Sequence, residues 1–259
     1  MKVKNKFLEL MSWEIRDNWT FPILEIVIAL VIVQTLSYTT FHHDYHGTES
    51  FRGVWYVFFT KTFFVLVLST AIVFGRSFGE SIEKRKLIVL LSYPVSRIRL
   101  FLAKYLTNFL VLFLIFGLAL LVEGTSLFLF DGIVPPVTWS FAFLYLMLEI
   151  LFVSSLMTFF TLATKRFGLS ILIFLVYMFG MQYWIPVNTD APLYYTLIDV
   201  ASWSSVTKLE QWYFNTLGIG HVSGDPPYIC FVAGTVHLVL VGLALFLMSF
   251  FIMRRMDLD

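Results

Sequence analysis

The sequence predicts an all-α integral membrane protein with six transmembrane helices, and three observations support this prediction. Hydrophobic residues make up 59% of the 259 residues, and charged residues only 14%. Because so little polar surface cannot coat a soluble globule, lipid is expected to solvate much of the chain. Six apolar stretches are long enough to cross a hydrocarbon core of about 30 Å as helices. Lys and Arg collect in alternate loops, as in multi-pass membrane proteins.

Gly, Pro or charged residues bound each predicted span and mark the turns between them. The spans are Phe21 to Tyr38, Val54 to Phe74, Phe101 to Val122, Phe141 to Ala163, Leu169 to Ile185 and Ile229 to Met253. No internal repeat or low-complexity tract divides the chain, so residues 1–259 are predicted to form a single transmembrane domain. The first span is not followed by a small-residue cleavage site, which argues against a cleaved signal peptide.

The distribution of basic residues predicts the orientation in the membrane. Fifteen of the 18 Lys and Arg lie at the two termini and in the loops after the second and fourth spans. Arg52 and Lys208 lie in the opposite loops, and Lys61 lies inside a span. Because basic side chains resist translocation, both termini are predicted to be cytoplasmic in a multi-pass protein of the cell (plasma) membrane. The net charge of +1 gives no reason to expect a nucleic-acid partner.

Two segments outside the spans are predicted to have structure of their own. In residues 1–20, apolar residues recur at helical spacing on one face and polar residues occupy another: Phe7, Leu8, Met11 and Ile15 against Lys6, Glu9, Ser12 and Arg16. This pattern predicts an amphipathic helix in the inner interface, and the alternative is a solvated leader. Residues 186–228 are rich in aromatic and aliphatic side chains and are predicted to form a structured extracellular segment with one or two short helices.

The loop from Gly75 to Leu100 reads GRSFGESIEKRKLIVLLSYPVSRIRL and carries an apolar block, Leu87 to Leu91, after a basic cluster. Exposing such a block to water is unfavourable, so we predict a short helix that docks on a partner protein. The alternative is a helix lying on the membrane surface. Pro94 should end this helix at Ser92 or Tyr93. The basic residues Arg97, Arg99 and Lys104 are predicted to anchor the next span at lipid phosphates.

The order Arg76, Glu80, Leu90 to Arg97 and Lys104 resembles the cytoplasmic loop of the type-two ABC transporter permeases, the membrane subunits of two-component ABC exporters. The resemblance implies that residues 1–20 form an elbow helix. It also implies that roughly Ser81 to Arg97, within loop 75–100, form a coupling helix on an ATP-binding subunit. The ATPase-coupling residues it implies are Glu80, Glu83, Leu87, Leu90, Leu91, Tyr93, Pro94 and Arg97. The chain departs from the family at Lys84, Arg85 and Lys86, where a Gly-Thr pair is frequent.

No Gly-x-x-x-x-Gly-Lys-Ser/Thr sequence is present, and such a sequence builds the backbone cradle for ATP phosphates. The chain is therefore predicted not to be an enzyme and to hold no cofactor, with ATP and Mg in the partner subunit. Common hydrolase motifs are also absent. The single cysteine, Cys230, excludes an intramolecular disulfide.

The resemblance further implies two permease copies with two ATP-binding subunits, and a translocation path between the second and fifth spans of the two copies, most simply a homodimer. Candidate path-lining residues are Phe58, Tyr177, Phe179, Met181 and Gln182. The expected activity is ATP-driven export of an amphipathic or hydrophobic cargo. The alternatives are a non-transporting membrane scaffold or sensor, or a channel, whose cytoplasmic loop docks some other protein.

Three ionisable residues, Lys61, Glu149 and His237, lie about 10 to 12 Å from the outer ends of their predicted spans. We hypothesise that Lys61 and Glu149 pair with His237 nearby, because intramembrane charges are costly alone. The alternative is three unrelated groups. Failure of a charge swap at Lys61 and Glu149 to rescue the Lys61→Glu variant would exclude the pair. The outer loop 42–46, with three His and one Asp, is interpreted as a solvated loop, and the alternative is a zinc or copper site.

Overall fold

The computed structural model describes residues 6–20, 22–41, 64–92, 95–131, 136–184 and 227–256. Regular structure in these residues is helical throughout and includes no strand, which confirms the all-α prediction. The helices in the described ranges are α1 (Lys6–Asn18), α2 (Ile23–Phe41), α3 (Phe64–Glu83), α4 (Lys86–Ser92), α5 (Arg97–Asp131), α6 (Pro136–Thr164), α7 (Phe167–Trp184) and α8 (Pro227–Arg255).

Three stretches within these helices have the length and apolar composition to cross a membrane: Phe64–Glu83, Arg97–Val122 and Leu146–Thr164. A fourth is added if the bent pair α1 and α2 forms one span, and α7 contributes the shorter apolar segment Phe167–Met178. The structure therefore supports a multi-pass membrane protein with three to four candidate spans in its described part. The count of six spans remains a prediction.

The second predicted span ends at Phe74, but α3 continues without interruption to Glu83. Residues Gly75–Glu80 form a π-helical turn inside it. Helical structure therefore extends into the segment predicted to connect two spans, and Gly75 lies inside it, where its missing side chain allows close packing with α6 and α7. Single π-helical turns within α-helices are frequent at functional sites.

Helices α1 and α2 meet at an angle of 74° between Phe7–Asn18 and Ile23–Gln34. The Ile23 amide donates to the Thr20 carbonyl at 2.9 Å where the second helix begins. Helix α1 packs against α5 and the π-helical turn. Its buried face is polar, with Glu14 and Asn18, whereas Leu8 on the opposite side is 60% exposed. This apolar outer side agrees with an amphipathic helix, and its position at a membrane interface remains a prediction.

Helix α6 lies at the centre of the described bundle, where it contacts α5, α7, α8 and the π-helical turn. Gly242 of α8 packs against α6, and a Cβ atom there would be in ordinary van der Waals contact with the Phe152 Cα atom at 3.4 Å. An aromatic cluster of α3, α5 and α8 fills the space beside it, and the Tyr105 and Phe246 rings meet edge to face at 4.7 Å. The Tyr105 hydroxyl forms hydrogen bonds of 2.8 Å with Ser154 and Ser155 of α6.

Candidate functional site

We name residues 75–97 the connecting segment. It begins with the π-helical turn of α3 and ends at the first residue of α5. It corresponds to most of the loop that the sequence singles out. Its first turn lies directly against α6 and α7, because Gly75 and Gly79 have no side chains. A Cβ atom at Gly79 would lie 3.0 Å from the Phe167 Cα atom, tighter than most contacts of a Cβ atom in proteins. Glycine at this position therefore allows the backbones to meet.

A buried ion pair contacts the connecting segment on the side that faces α1 and α5. The Lys104 ammonium group of α5 lies 2.7 Å from a Glu14 carboxylate oxygen of α1, and each side chain is 1% exposed. The same ammonium group donates to the Ser77 carbonyl at 3.0 Å and to the Ser81 hydroxyl at 3.3 Å. The Ser77 hydroxyl donates in turn to Glu14. One lysine thus joins α1, the end of α3 and α5.

Two asparagines extend this network along α1 and α5. The Asn108 amide donates to Glu14 at 3.0 Å, and its oxygen accepts hydrogen bonds from Asn18 at 2.9 Å and from the Trp19 indole at 2.7 Å. The Asn18 amide also donates to the Val73 carbonyl of α3 at 3.2 Å. These hydrogen bonds join α1, α3 and α5, and among them only the Asn18 side-chain oxygen has no hydrogen-bond partner in the described part of the chain.

Helix α4 follows the connecting segment's sharpest bend, where Arg85 adopts a left-handed conformation with φ of 53°. Glycine takes this conformation most easily, and an arginine in it is uncommon. Within α4, Leu87 is fully buried and Leu90 packs against the core, whereas Val89 is 61% exposed. The helix in this region spans Lys86–Ser92 and is shorter than the segment Ser81 to Arg97 predicted as a coupling helix, since Ser81 to Glu83 still belong to α3. Its coupling role remains a prediction.

Further contacts tie the connecting segment to its neighbours. The Lys86 ammonium group lies 3.2 Å from Asp17 of α1. A Glu83 carboxylate oxygen accepts the Phe167 amide of α7 at 2.7 Å. The Arg97 guanidinium donates to the Met256 carbonyl, just after α8, at 2.6 Å. The segment is therefore bound to α1, α7 and the end of α8 as well as to α5.

The structure corrects one prediction for this region and leaves others untested. Lys104 does not anchor at lipid phosphates, because its ammonium group is buried against Glu14. The Glu80 side chain of α3 is 18% exposed and pairs with Arg76 of the same helix and with Lys84 just after it. Tyr93, Pro94 and the Leu91 side chain lie outside the described residues.

The predicted intramembrane polar layer is described only at Glu149. Its side chain is buried in α6, and no described residue forms a hydrogen bond with either carboxylate oxygen. Lys61 and the His237 side chain lie outside the described residues. The proposed pairing is therefore untested.

Of the predicted path-lining residues, Tyr177 lies on α7 and contacts the Phe160 ring of α6 edge to face at 5.8 Å. The others lie outside the described side chains: Phe58, Phe179, Met181 and Gln182. Among the described residues, no group of three or more His, Cys, Asp or Glu side chains is arranged to hold a metal ion. The outer loop 42–46 and the segment 186–226 also lie outside them.

Sequence reasoning missed the buried network, although its signal is present. Glu14 and Asn18 stand four residues apart in an amphipathic helix, and so do Lys104 and Asn108 in an apolar one. Side chains at this spacing share one helix face, so two matching polar pairs indicate helices that meet. The spacing of Gly75 and Gly79 is likewise typical of close packing between membrane helices.

Long apolar helices, with a short helix held at one end by buried polar contacts, define an α-helical multi-pass membrane protein. The family model for ABC-2 family transporter proteins matches residues 18–181, more than half of the chain, and the chain therefore belongs to this family of transporter permeases. Membership implies a membrane transport component that is generally not itself catalytic and that works with an ATP-binding subunit. A comparison with curated proteins finds no matching relative.

Proposed function

We propose that this chain is the permease subunit of an ATP-driven exporter. Two copies form the translocation path, and a separate subunit binds and hydrolyses ATP with Mg. Family membership supports the transport role. The cargo class we propose is amphipathic or hydrophobic, in keeping with a path bordered by apolar helices.

The observation that carries this proposal is the placement of α4. Leu87 fixes one side of this short helix in the core, whereas Val89 on another side is 61% exposed. The neighbouring side chains Glu83, Lys84 and Arg85 are also exposed. A fixed helix that presents an apolar residue beside charges suits a protein partner, because apolar contact provides affinity and charges provide register. We propose that α4 is the coupling helix and that the ATP-binding subunit binds it.

Substitution of Val89 by Asp tests this proposal. The permease should be co-expressed with its candidate ATPase, a protein that carries a Gly-x-x-x-x-Gly-Lys-Ser/Thr motif. We expect Val89→Asp to retain the thermal stability of the wild type but to recover at least about tenfold less ATPase on purification, as for loss of a central interface contact. Leu87→Asp is the matched control, because it places the same charge in the core and should lower thermal stability instead.

Equal recovery of the ATPase with Val89→Asp and wild type would contradict docking through α4. The same preparations separate the alternatives. A scaffold, a sensor or a channel predicts no permease-dependent ATP hydrolysis, whereas an exporter predicts hydrolysis by the purified complex. Leu90 is a poorer choice for this test because it packs against the core.

We also propose that the connecting segment and both termini face the cytoplasm, and that the path runs between α3 and α7 of two copies. The concentration of Lys and Arg at this end of the chain's helices supports the orientation. The position of Tyr177 on α7, half-buried against α6, agrees with a place near such a path.

A further inference from the structure

Three α3 residues at four-residue spacing meet the beginning of α7. A Cβ atom at Gly75 would lie 3.2 Å from both the Phe167 ring and the Ile171 side chain. At Gly79 it would lie 3.0 Å from the Phe167 Cα atom. One turn later, Glu83 accepts the Phe167 amide at 2.7 Å. We name this contact, formed by Gly75, Gly79 and Glu83 with Phe167 and Ile171, the α3–α7 joint.

The hydrogen bond in this joint caps α7 from another helix. The first amide groups of a helix have no partner within the helix, and a side chain just before the helix usually satisfies one of them. Here Lys165 and Arg166 precede α7, and the Phe167 amide donates to Glu83, 84 positions earlier in the chain. A carboxylate at a helix beginning also interacts favourably with the helix dipole. Glu83 therefore binds the end of α3 to the first turn of α7.

The joint lies directly before the proposed docking helix. Only Lys84 and Arg85 separate Glu83 from α4. A displacement of α4 by a bound protein therefore acts first on Glu83 and on the last turn of α3. Because Gly79 places the α3 backbone against Phe167, this turn cannot move far without carrying the beginning of α7 with it.

We propose that Glu83 is a positioning residue that passes movement of α4 to α7. This inference rests on the proposed function, in which a separate ATPase moves α4 and α7 borders the path. It assigns Glu83 an inward contact with α7, in addition to the ATPase contact that the family resemblance implies for it. Glu83 acts through its hydrogen bond to the Phe167 amide, so an uncharged acceptor at this position retains part of its effect.

Glu80 provides a matched control in the preceding turn. Its carboxylate pairs with Arg76 and Lys84, which belong to its own helical stretch and the residue after it. Glu80→Ala therefore removes the same charge as Glu83→Ala without removing a contact to α7. Glu83→Gln is the conservative variant, because its amide oxygen can still accept the Phe167 amide.

Hydrogen exchange of the isolated permease tests the cap itself. We expect Glu83→Ala to speed exchange in the peptide that covers the first turn of α7 by about tenfold, as for the loss of a typical capping interaction. Glu83→Gln should restore most of the protection, and Glu80→Ala should match the wild type. Equal exchange of Glu83→Ala and wild type in this peptide would overturn the joint.

Hydrogen exchange of the permease–ATPase complex tests the transmission. ATP with orthovanadate is the probe, and we expect it to change exchange in the first turns of α7 in the wild type, Glu80→Ala and Glu83→Gln. Glu83→Ala should lose most of this change when all variants are compared at equal occupancy by the ATPase, so that any weaker binding of the ATPase to this variant does not enter the comparison. An undiminished change in Glu83→Ala, or no change in the wild-type complex, would overturn the proposal. Failure of any ATPase to bind would instead reject the proposed function, and the isolated permease would still decide whether the cap exists.

Discussion

Lys104 and Glu14 form an ion pair whose side chains are each 1% exposed, at the point where α1, α3 and α5 meet. Removing charges from water is costly, and additional hydrogen bonds offset this cost. Ser77 and Asn108 donate to Glu14, and Lys104 donates to the Ser81 hydroxyl. The ammonium group also lies 5.4 Å from the Trp13 ring centroid. Removal of either charge should therefore leave its partner buried and unpaired.

We expect Lys104→Met to lower the free energy of unfolding by about 3 to 5 kcal/mol, because an uncompensated carboxylate remains buried. The double variant Lys104→Met with Glu14→Gln should be less damaged than the sum of the two single variants, since the residues share one network. Thermal unfolding in detergent measures both effects. Lys86→Met is the matched control, and its half-exposed pair with Asp17 should contribute under about 1 kcal/mol. Equal losses in the two Met variants would contradict a special role for Lys104.

At the scale of single residues, the sequence drew attention to Lys104 but not to its partner Glu14. A lysine near the start of an apolar helix predicts a lipid-phosphate anchor when the helix is considered alone. The structure places a carboxylate of α1 within 2.7 Å of it, although the two residues are 90 positions apart. Only the packing of three helices decides between these two environments. Arg85 is similar, because its left-handed backbone is imposed by the helices on either side of it.

At the scale of elements, the first part of the connecting segment, up to Glu83, is an extension of α3. The π-helical turn Gly75–Glu80 carries the helix past its predicted end at Phe74, and α4 begins after a two-residue break. Glycine disfavours a helix interior when the helix is solvated. In α3, close packing against α6 and α7 outweighs this preference, because a side chain at Gly75 or Gly79 would make neighbouring atoms shift.

We expect Gly79→Ala to destabilise the protein by roughly 1 to 3 kcal/mol, the usual cost of overpacking, since its Cβ atom would meet the Phe167 backbone at 3.0 Å. Gly168→Ala is the matched control in α7, because a Cβ atom there has no other atom within 4 Å. This second change should be neutral or stabilising by up to about 1 kcal/mol, since alanine favours the helix. Thermal unfolding of the two variants in detergent distinguishes them, and similar losses would contradict the close α3–α7 contact.

At the scale of the whole molecule, apolar composition and the distribution of basic residues determine the class of protein and its proposed orientation. Apolar side chains on the outside of α2, α5, α7 and α8 are exposed in the isolated bundle, including Leu114, Leu172 and Val176. Lipid is the natural neighbour for these surfaces. The buried polar network lies at the same end of the bundle as Arg97, Arg254 and Arg255, next to the connecting segment.

We expect the carboxyl end of α8 to face the cytoplasm and the loop after α2 to face outward, because basic residues resist translocation. In a Cys230→Ser background, a membrane-impermeant maleimide should label Glu49→Cys in intact cells but label Arg255→Cys only after permeabilisation. Labelling of Arg255→Cys in intact cells would reverse the orientation. Helix α4 would then lie on the outer side of the membrane and could not contact a cytoplasmic ATPase.

The sequence alone determined that the chain is helical, apolar and related to ABC-2 permeases, because composition, helical periodicity and a local loop pattern are properties of neighbouring residues. The tertiary structure decided where helices end and which polar groups meet. It places the end of α3 at Glu83. It also forms the Lys104–Glu14 pair and the hydrogen bond from the Phe167 amide to Glu83, which join residues up to 90 positions apart. Contacts of this kind depend on how whole helices pack, and helix packing is set by many side chains together.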